Sequence, residues 1–230
     1  MKIDVPCLAA EAVAVPRYLE ETYWWAYVHP RAVRFFERQW LVNLILWGNF
    51  GRLRDAAVGA LGEMPGRTLQ IACVYGNLTD KIRSRAEALD VVDVLPVQLE
   101  NLARKLPPAA RVGLHQGDSS RLHFADASYD QALLFFLLHE QPEAVRRRTL
   151  SEALRVLKPG GRLVIVDYHR PSNANPLYWP MVAILRTLEP YAMDLWRHEV
   201  RDWLPEERIR AHAKRTLFGE LYQVLTITKD

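Results

Sequence analysis

The chain has 230 residues, half of them apolar, and a net charge of +3 at neutral pH. That composition supplies one sizeable core and excludes a disordered chain. The charge is too slight to demand a nucleic-acid partner, although it allows a weak preference for an anionic membrane surface. Two cysteines, Cys7 and Cys73, exclude a disulfide framework and suit a reducing cytoplasm. The opening Met1–Pro6 segment has no signal-peptide pattern. The longest apolar run, Trp40 to Phe50, is broken by Asn43 and Asn49 and is about half of the ~20 residues needed to span a bilayer.

The first 65 residues read as a helical extension. Pro16 to Ala26 predicts one helix, with a break at Pro30. Arg31 to Trp47 predicts a second, with Arg31, Arg34 and Arg38 on one face, and Arg52 to Leu61 a third. From residue 66 to 230 the rhythm becomes alternating strand and helix, the mark of a parallel sheet with crossovers. Strands are expected over 68–74, 89–95, 111–115, 130–138 and 162–168. Helices are expected over 79–87, 98–105 and 143–157. The fourth strand is an unbroken apolar run, as a strand covered on both faces requires. Residues 176–203 read as mostly helical. Arg215–Phe218 and Tyr222–Thr228 read as a closing antiparallel hairpin.

Thr68–Gly76 stands where a nucleotide-binding glycine loop should follow the first strand. The class I methyltransferase pattern, acidic-x-Gly-x-Gly-x-Gly, is replaced here by Gln70, Ala72, Val74 and Gly76, with Tyr75 between the last two. Glycines in such a loop permit close backbone approach to a ligand. Their loss alters how the methionine end of S-adenosylmethionine (SAM) would be held. Asp93 ends strand two at the spacing of a ribose-binding acid; a helix-capping aspartate is the plainer reading. Gly117–Phe124 is similar to the methyltransferase segment whose aspartate, here Asp118 with Ser119 beside it, faces adenine; the alternative is a solvated turn. Glu152–Leu163, with Pro159-Gly160-Gly161, resembles the helix-to-strand-five passage of class I methyltransferases and is assigned no chemistry.

His139 and Glu140 follow strand four, and Asp167 and His169 close strand five. Ligands of doubly wound sheets sit at the carboxyl ends of strands, so these four side chains are candidates for one pocket. They suit a divalent metal such as Mn²⁺ or an acid–base pair; structural hydrogen bonding is the plainer alternative. Tyr23, Tyr27 and His29 lie in an unusually aromatic stretch. They are expected to roof a flat apolar substrate, or else to glue the extension to the sheet. The Arg31–Trp47 helix suits either core packing or a membrane surface.

Tyr23–Pro30, Leu41–Phe50, Ala72–Gly76, Leu134–Pro142 and Val166–His169 together resemble the bacterial rhodoquinone-biosynthesis family, methyltransferase-like enzymes of the class I, Rossmann-like α/β fold. The resemblance covers nearly the whole chain. It implies conversion of ubiquinone to rhodoquinone, a ring methoxy group being replaced by an amino group. It further implies that SAM donates its amine rather than its methyl, with Mn²⁺ assisting. On that reading His139, Glu140 and His169 hold the metal and Tyr75 or Asp167 supplies a further base. Catalysis is then expected from Tyr75, His139 and Asp167. Residence on the cytoplasmic face of the inner membrane, without an obligate protein partner, is also expected. The rivals are an ordinary methyltransferase acting on a lipid-like acceptor and a SAM-binding protein without turnover.

Overall fold

In the computed structural model, residues 14–23, 35–63, 65–108 and 110–230 are described. Tyr27, His29, Arg31, Arg34 and Cys7 lie outside them.

Seven strands form one sheet in the order β3-β2-β1-β4-β5-β7-β6. They are β1 (Arg67–Ile71), β2 (Ala88–Asp93), β3 (Val112–Gln116), β4 (Tyr129–Phe135), β5 (Leu157–Tyr168), β6 (Ile209–Leu217) and β7 (Tyr222–Lys229). The first five are parallel, and β7 runs antiparallel to both β5 and β6. Leu133, Leu134, Leu163, Val164, Ile165 and Val166 are fully buried, which explains why β4 and β5 read as continuous apolar runs. The strand order reverses between β1 and β4, and a ligand crevice belongs outside the carboxyl ends of strands at such a switch point.

The helices are α1 (Arg17–Thr22), α2 (Gln39–Ile45), α3 (Phe50–Leu61), α4 (Leu78–Arg83), α5 (Pro96–Lys105), α6 (Glu143–Val156), α7 (Tyr178–Leu188) and α8 (Asp194–Arg197). The long helix expected over 31–47 is interrupted: Arg38 is extended, with ψ 115°. Glu37 at the break accepts hydrogen bonds from Gly76 N–H (3.0 Å), Lys105 Nζ (2.8 Å) and Asn101 Nδ2 (2.7 Å). One carboxylate thus ties the extension to the loop after β1. The boundary expected at residue 65 falls between α3 and β1, yet α3 belongs to the core: Leu53, Ala57 and Leu61 are fully buried.

Two further elements differ from expectation. β6 starts six residues earlier than predicted, because an edge strand exposing most of its side chains shows no apolar alternation. Leu157 already pairs with Tyr129, and Lys158–Gly161 bulge out before Arg162 pairs with Gln131. Gly160 has φ +74°, and a Cβ on Gly161 would lie 2.7 Å from the Lys158 carbonyl oxygen, so both positions need glycine.

Candidate active site

A cavity of about 590 Å³ opens at the switch point. Its floor is the loop after β1. The ladder runs one bond beyond the strand, Ala72 N–H donating to Val92 O at 2.8 Å. Ala72 then takes φ +73°, the left-handed conformation that glycine adopts without cost. The loop has therefore lost a glycine while keeping the glycine backbone path. Ala72, Cys73, Val74 and Tyr75 line the cavity.

Gln70 and Gly76, expected at the cofactor, do not line the cavity. Gln70 is fully buried; its Nε2 donates to Ala72 O (3.0 Å) and its Oε1 accepts from Thr79 Oγ1 (2.9 Å). It braces the loop against α4 from behind. Gly76 (φ +87°) sits beneath Phe50, whose ring a Cβ would meet at 2.7 Å.

Asp93 reaches the cavity at the end of β2. Its Oδ2 accepts from Cys73 N–H (2.7 Å) and its Oδ1 from Leu95 N–H (2.8 Å). Burial nonetheless raises its carboxyl to about 6. Asp118 and Ser119 line the same end. Asp118 Oδ1 closes an Asx turn on Ser120 N–H (2.7 Å), and Ser119 Oγ contacts Thr149 and Gln141. A strand-end carboxylate, a second one on the next strand's loop and a backbone floor fit SAM. Asp93, Asp118 and Ala72–Tyr75, the residues expected at its ribose, adenine and methionine ends, all line this one cavity.

The opposite wall is built from side chains. His139 sits on a single 3-10 turn, Leu138–Glu140, and is 4 % exposed. Its Nδ1 lies 3.0 Å from Asp167 Oδ1; its Nε2 lies 3.7 Å from Glu140 Oε1 and 4.0 Å from Glu189 Oε2. Burial disfavours the imidazolium, but Asp167 outweighs burial, aided by Glu189 and Glu140, and His139 is raised to about 9. Tyr168 meets the imidazole edge-on at 4.9 Å. Phe136, beside it, holds φ +54°, a left-handed aromatic residue at a cavity wall. Tyr23 from the extension is fully buried here beside the Glu189 carboxyl, which burial raises. Arg146, also buried, donates to Leu138 O, Gln141 O and Tyr191 O, so it fixes the turn carrying His139 and the turn after Glu189 together.

These contacts bear on three expected roles. His169 does not join His139 and Glu140: its Nδ1 lies 2.9 Å from Glu220 O and its Nε2 3.3 Å from Lys214 Nζ, outside the cavity lining. Among the described residues no group of three or more His, Cys, Asp or Glu side chains is placed to hold a metal ion, so the predicted Mn²⁺ set does not fit. Asp167 is not a free base. It is fully buried and accepts from Leu138, His139 and Tyr168 N–H as well as facing His139 Nδ1, so it positions that ring. Tyr75 lines the cavity, accepts from Gln98 Nε2 (3.1 Å) and stacks on Phe36 at 6.3 Å. Burial raises its phenol well above neutrality, which keeps it protonated rather than basic.

Sequence reasoning missed Glu189 and Glu37. Each had a signal: Glu189 is the only acid between Asp167 and Asp194, and Glu37 the only one between Glu21 and Asp55. A lone carboxylate in a long apolar stretch is costly unless it is paired or used.

Residues 68–161 match the family described as "Methyltransferase domain". An uncharacterized methyltransferase of Synechocystis sp. is 30% identical over 165 residues, covering 71% of this chain and 74% of that protein. A demethylmenaquinone methyltransferase of Beutenbergia cavernae is 34% identical over 177 residues, covering 71% and 70%. The ubiquinone/menaquinone biosynthesis C-methyltransferase UbiE of Ectopseudomonas mendocina is 33% identical, covering 58% and 54%. The N-methyltransferase NodS of Bradyrhizobium japonicum, solved with S-adenosyl-L-homocysteine, superposes with a TM-score of 0.56 at 16% identity, covering 76% and 86%, and shares the fold. The chain belongs to the class I SAM-dependent methyltransferase family, with homology to the quinone C-methyltransferases.

Proposed function

We propose that this chain acts on a quinone ring, replacing a methoxy group of ubiquinone with an amino group to give rhodoquinone. The observation that carries the reading is the buried His139–Asp167 pair, flanked by Glu140 and Glu189, on the cavity wall. Bound on the loop after β1, SAM supplies the amine while its methyl group stays on sulfur. The His139 imidazolium donates to a quinone carbonyl oxygen, where charge gathers as nitrogen adds to the ring. Glu189, raised by burial, accepts the proton that the adding nitrogen sheds. Methoxide leaves with a proton as methanol; the α-carbon of SAM then loses its proton, the electron pair passes into the quinone ring, and water hydrolyses the resulting imine, which releases the 2-oxo acid of SAM and leaves the amino group on the ring in its reduced, hydroquinone form. Asp167 holds the imidazole, and Phe136, Tyr168 and Tyr23 wall a flat ring away from water. No step runs through a metal. Val74, bulkier than the glycine of the class I pattern, and Tyr75 beside it support an altered setting of the methionine end. The names of the relatives support a quinone ring as the substrate class. Residence on the cytoplasmic face of the inner membrane is part of this reading.

Those same names favour a second reading, methyl transfer to a quinone ring carbon. Incubation with a short-chain ubiquinone and SAM separates the two, with and without Mn²⁺. Amino-¹⁵N SAM is expected to label the product, and methyl-labelled SAM to leave it unlabelled. Methyl label in the product without nitrogen transfer establishes the second reading.

A further inference from the structure

Among the described residues, the large apolar side chains that stand exposed fall in two stretches, Phe35–Trp47 and Trp179–Leu188. The first covers α2 and the second α7. The two helices touch: Trp47 Nε1 lies 3.2 Å from Met181 Sδ. Their exposed side chains therefore form one patch rather than scattered residues, and contiguous patches of this kind mark interaction surfaces. Leu44, 64% exposed, and Trp179, 74% exposed, are its most open members. Leu44, Ile45, Trp47, Ile184 and Leu188 also line the cavity, so the patch is the outer rim of the cavity mouth.

Charge identifies the occupant. Neither α2 nor α7 carries an acid, and the exposed charges at the rim are Arg38, preceding α2, and Arg186, within α7. Three tryptophans on an acid-free apolar face flanked by arginines match the chemistry of an anionic bilayer interface, rings at headgroup depth and guanidinium groups on phosphate. No helix among the described residues is long and apolar enough to cross a membrane. We propose that the α2–α7 rim seats the cavity mouth on an anionic lipid bilayer, so that an apolar substrate passes from lipid into the cavity without crossing water. This deepens the quinone reading, since a prenylated quinone resides in the bilayer. Docking itself needs neither SAM nor quinone, so the two readings fail separately.

The test is flotation of the full chain with phosphatidylcholine vesicles and with mixed phosphatidylcholine–phosphatidylglycerol vesicles. The wild type is expected to float with the mixed vesicles, less so at high salt. Trp40 and Trp179 are exposed but do not line the cavity. The W40S/W179S variant is expected to lose about tenfold in vesicle binding while its thermal unfolding and its turnover of a tail-less quinone stay unchanged. R38Q/R186Q is expected to lose the preference for phosphatidylglycerol. Wild type that fails to float, or W40S/W179S that floats equally, overturns the proposal. A wild-type dimer that W40S/W179S dissociates, seen by light scattering, also overturns it, because the face then belongs to a second copy.

Discussion

The two ends of the cavity are made differently. The Asp93 end is loop and strand termini: both Asp93 oxygens hold loop amides, and Ala72–Tyr75 line it from the loop after β1. The His139 end is side chain against side chain, drawn from the turn after β4, the end of β5, the end of α7 and α1's neighbour Tyr23. The first kind of site follows wherever this sheet topology is built. The second exists only because four separate segments meet, and it is the end able to define a reaction.

The sharpest way to break this comparison is His139→Ala. Turnover is expected to fall by about 10²–10⁴-fold, the usual worth of a positioned acid or base, while SAM affinity by calorimetry stays unchanged. Retained turnover would move the chemistry away from this wall. Asp93→Ala should do the reverse. SAM binding should weaken by about 1.5–3 kcal/mol, as for a hydrogen bond to a charged group, and equal calorimetric affinity rejects the ribose assignment.

The two ends also titrate apart. Asp93 is raised from 3.8 to about 6, so the native state holds this proton more tightly than the unfolded chain. Its contribution to stability is present below pH 3.8 and is lost as pH rises through 6. Ribose hydroxyls prefer the carboxylate, so SAM affinity is expected to drop below about pH 6 in wild type and not in Asp93→Asn. His139 is raised from 6.5 to about 9, so its stabilisation is full below 6.5 and lost as pH rises through 9. Turnover that depends on the imidazolium should fall over the same upper range. A rate still rising past pH 9 contradicts the acid role. The smallest effect is expected from Tyr75→Phe, which removes the Gln98 contact and no base. A change of about 0.5–1.5 kcal/mol in SAM affinity is expected, and complete loss of turnover would restore the phenol as a participant.

Much of the sheet was legible in the sequence. Buried parallel strands such as β4 read as apolar runs, and the Pro159–Gly161 segment marked the passage into β5. The break at Arg38 was not legible, because helical periodicity continues on both sides of it and only Glu37's three partners require the kink. Gln70 looked like a cofactor residue by alignment with a carboxylate, yet its amide is spent inside the protein on Ala72 and Thr79. His139, Glu140 and Asp167 were legible as strand-end residues. Their division of labour was not, since the proton affinity of His139 is raised, against the opposing effect of burial, by the Asp167 carboxylate and by Glu189, far along the chain.

The sequence by itself determined the α/β fold and the placing of Asp93 and Asp118 at or just after strand ends, because period, turn chemistry and strand termini are local properties. Tertiary structure alone decided that His169 turns to Glu220 and Lys214, that Glu189 and Tyr23 complete the His139 wall, and that α2 and α7 share one exposed rim. Those outcomes depend on which distant groups are brought within hydrogen-bond reach and which faces are left uncovered, and no local pattern encodes either.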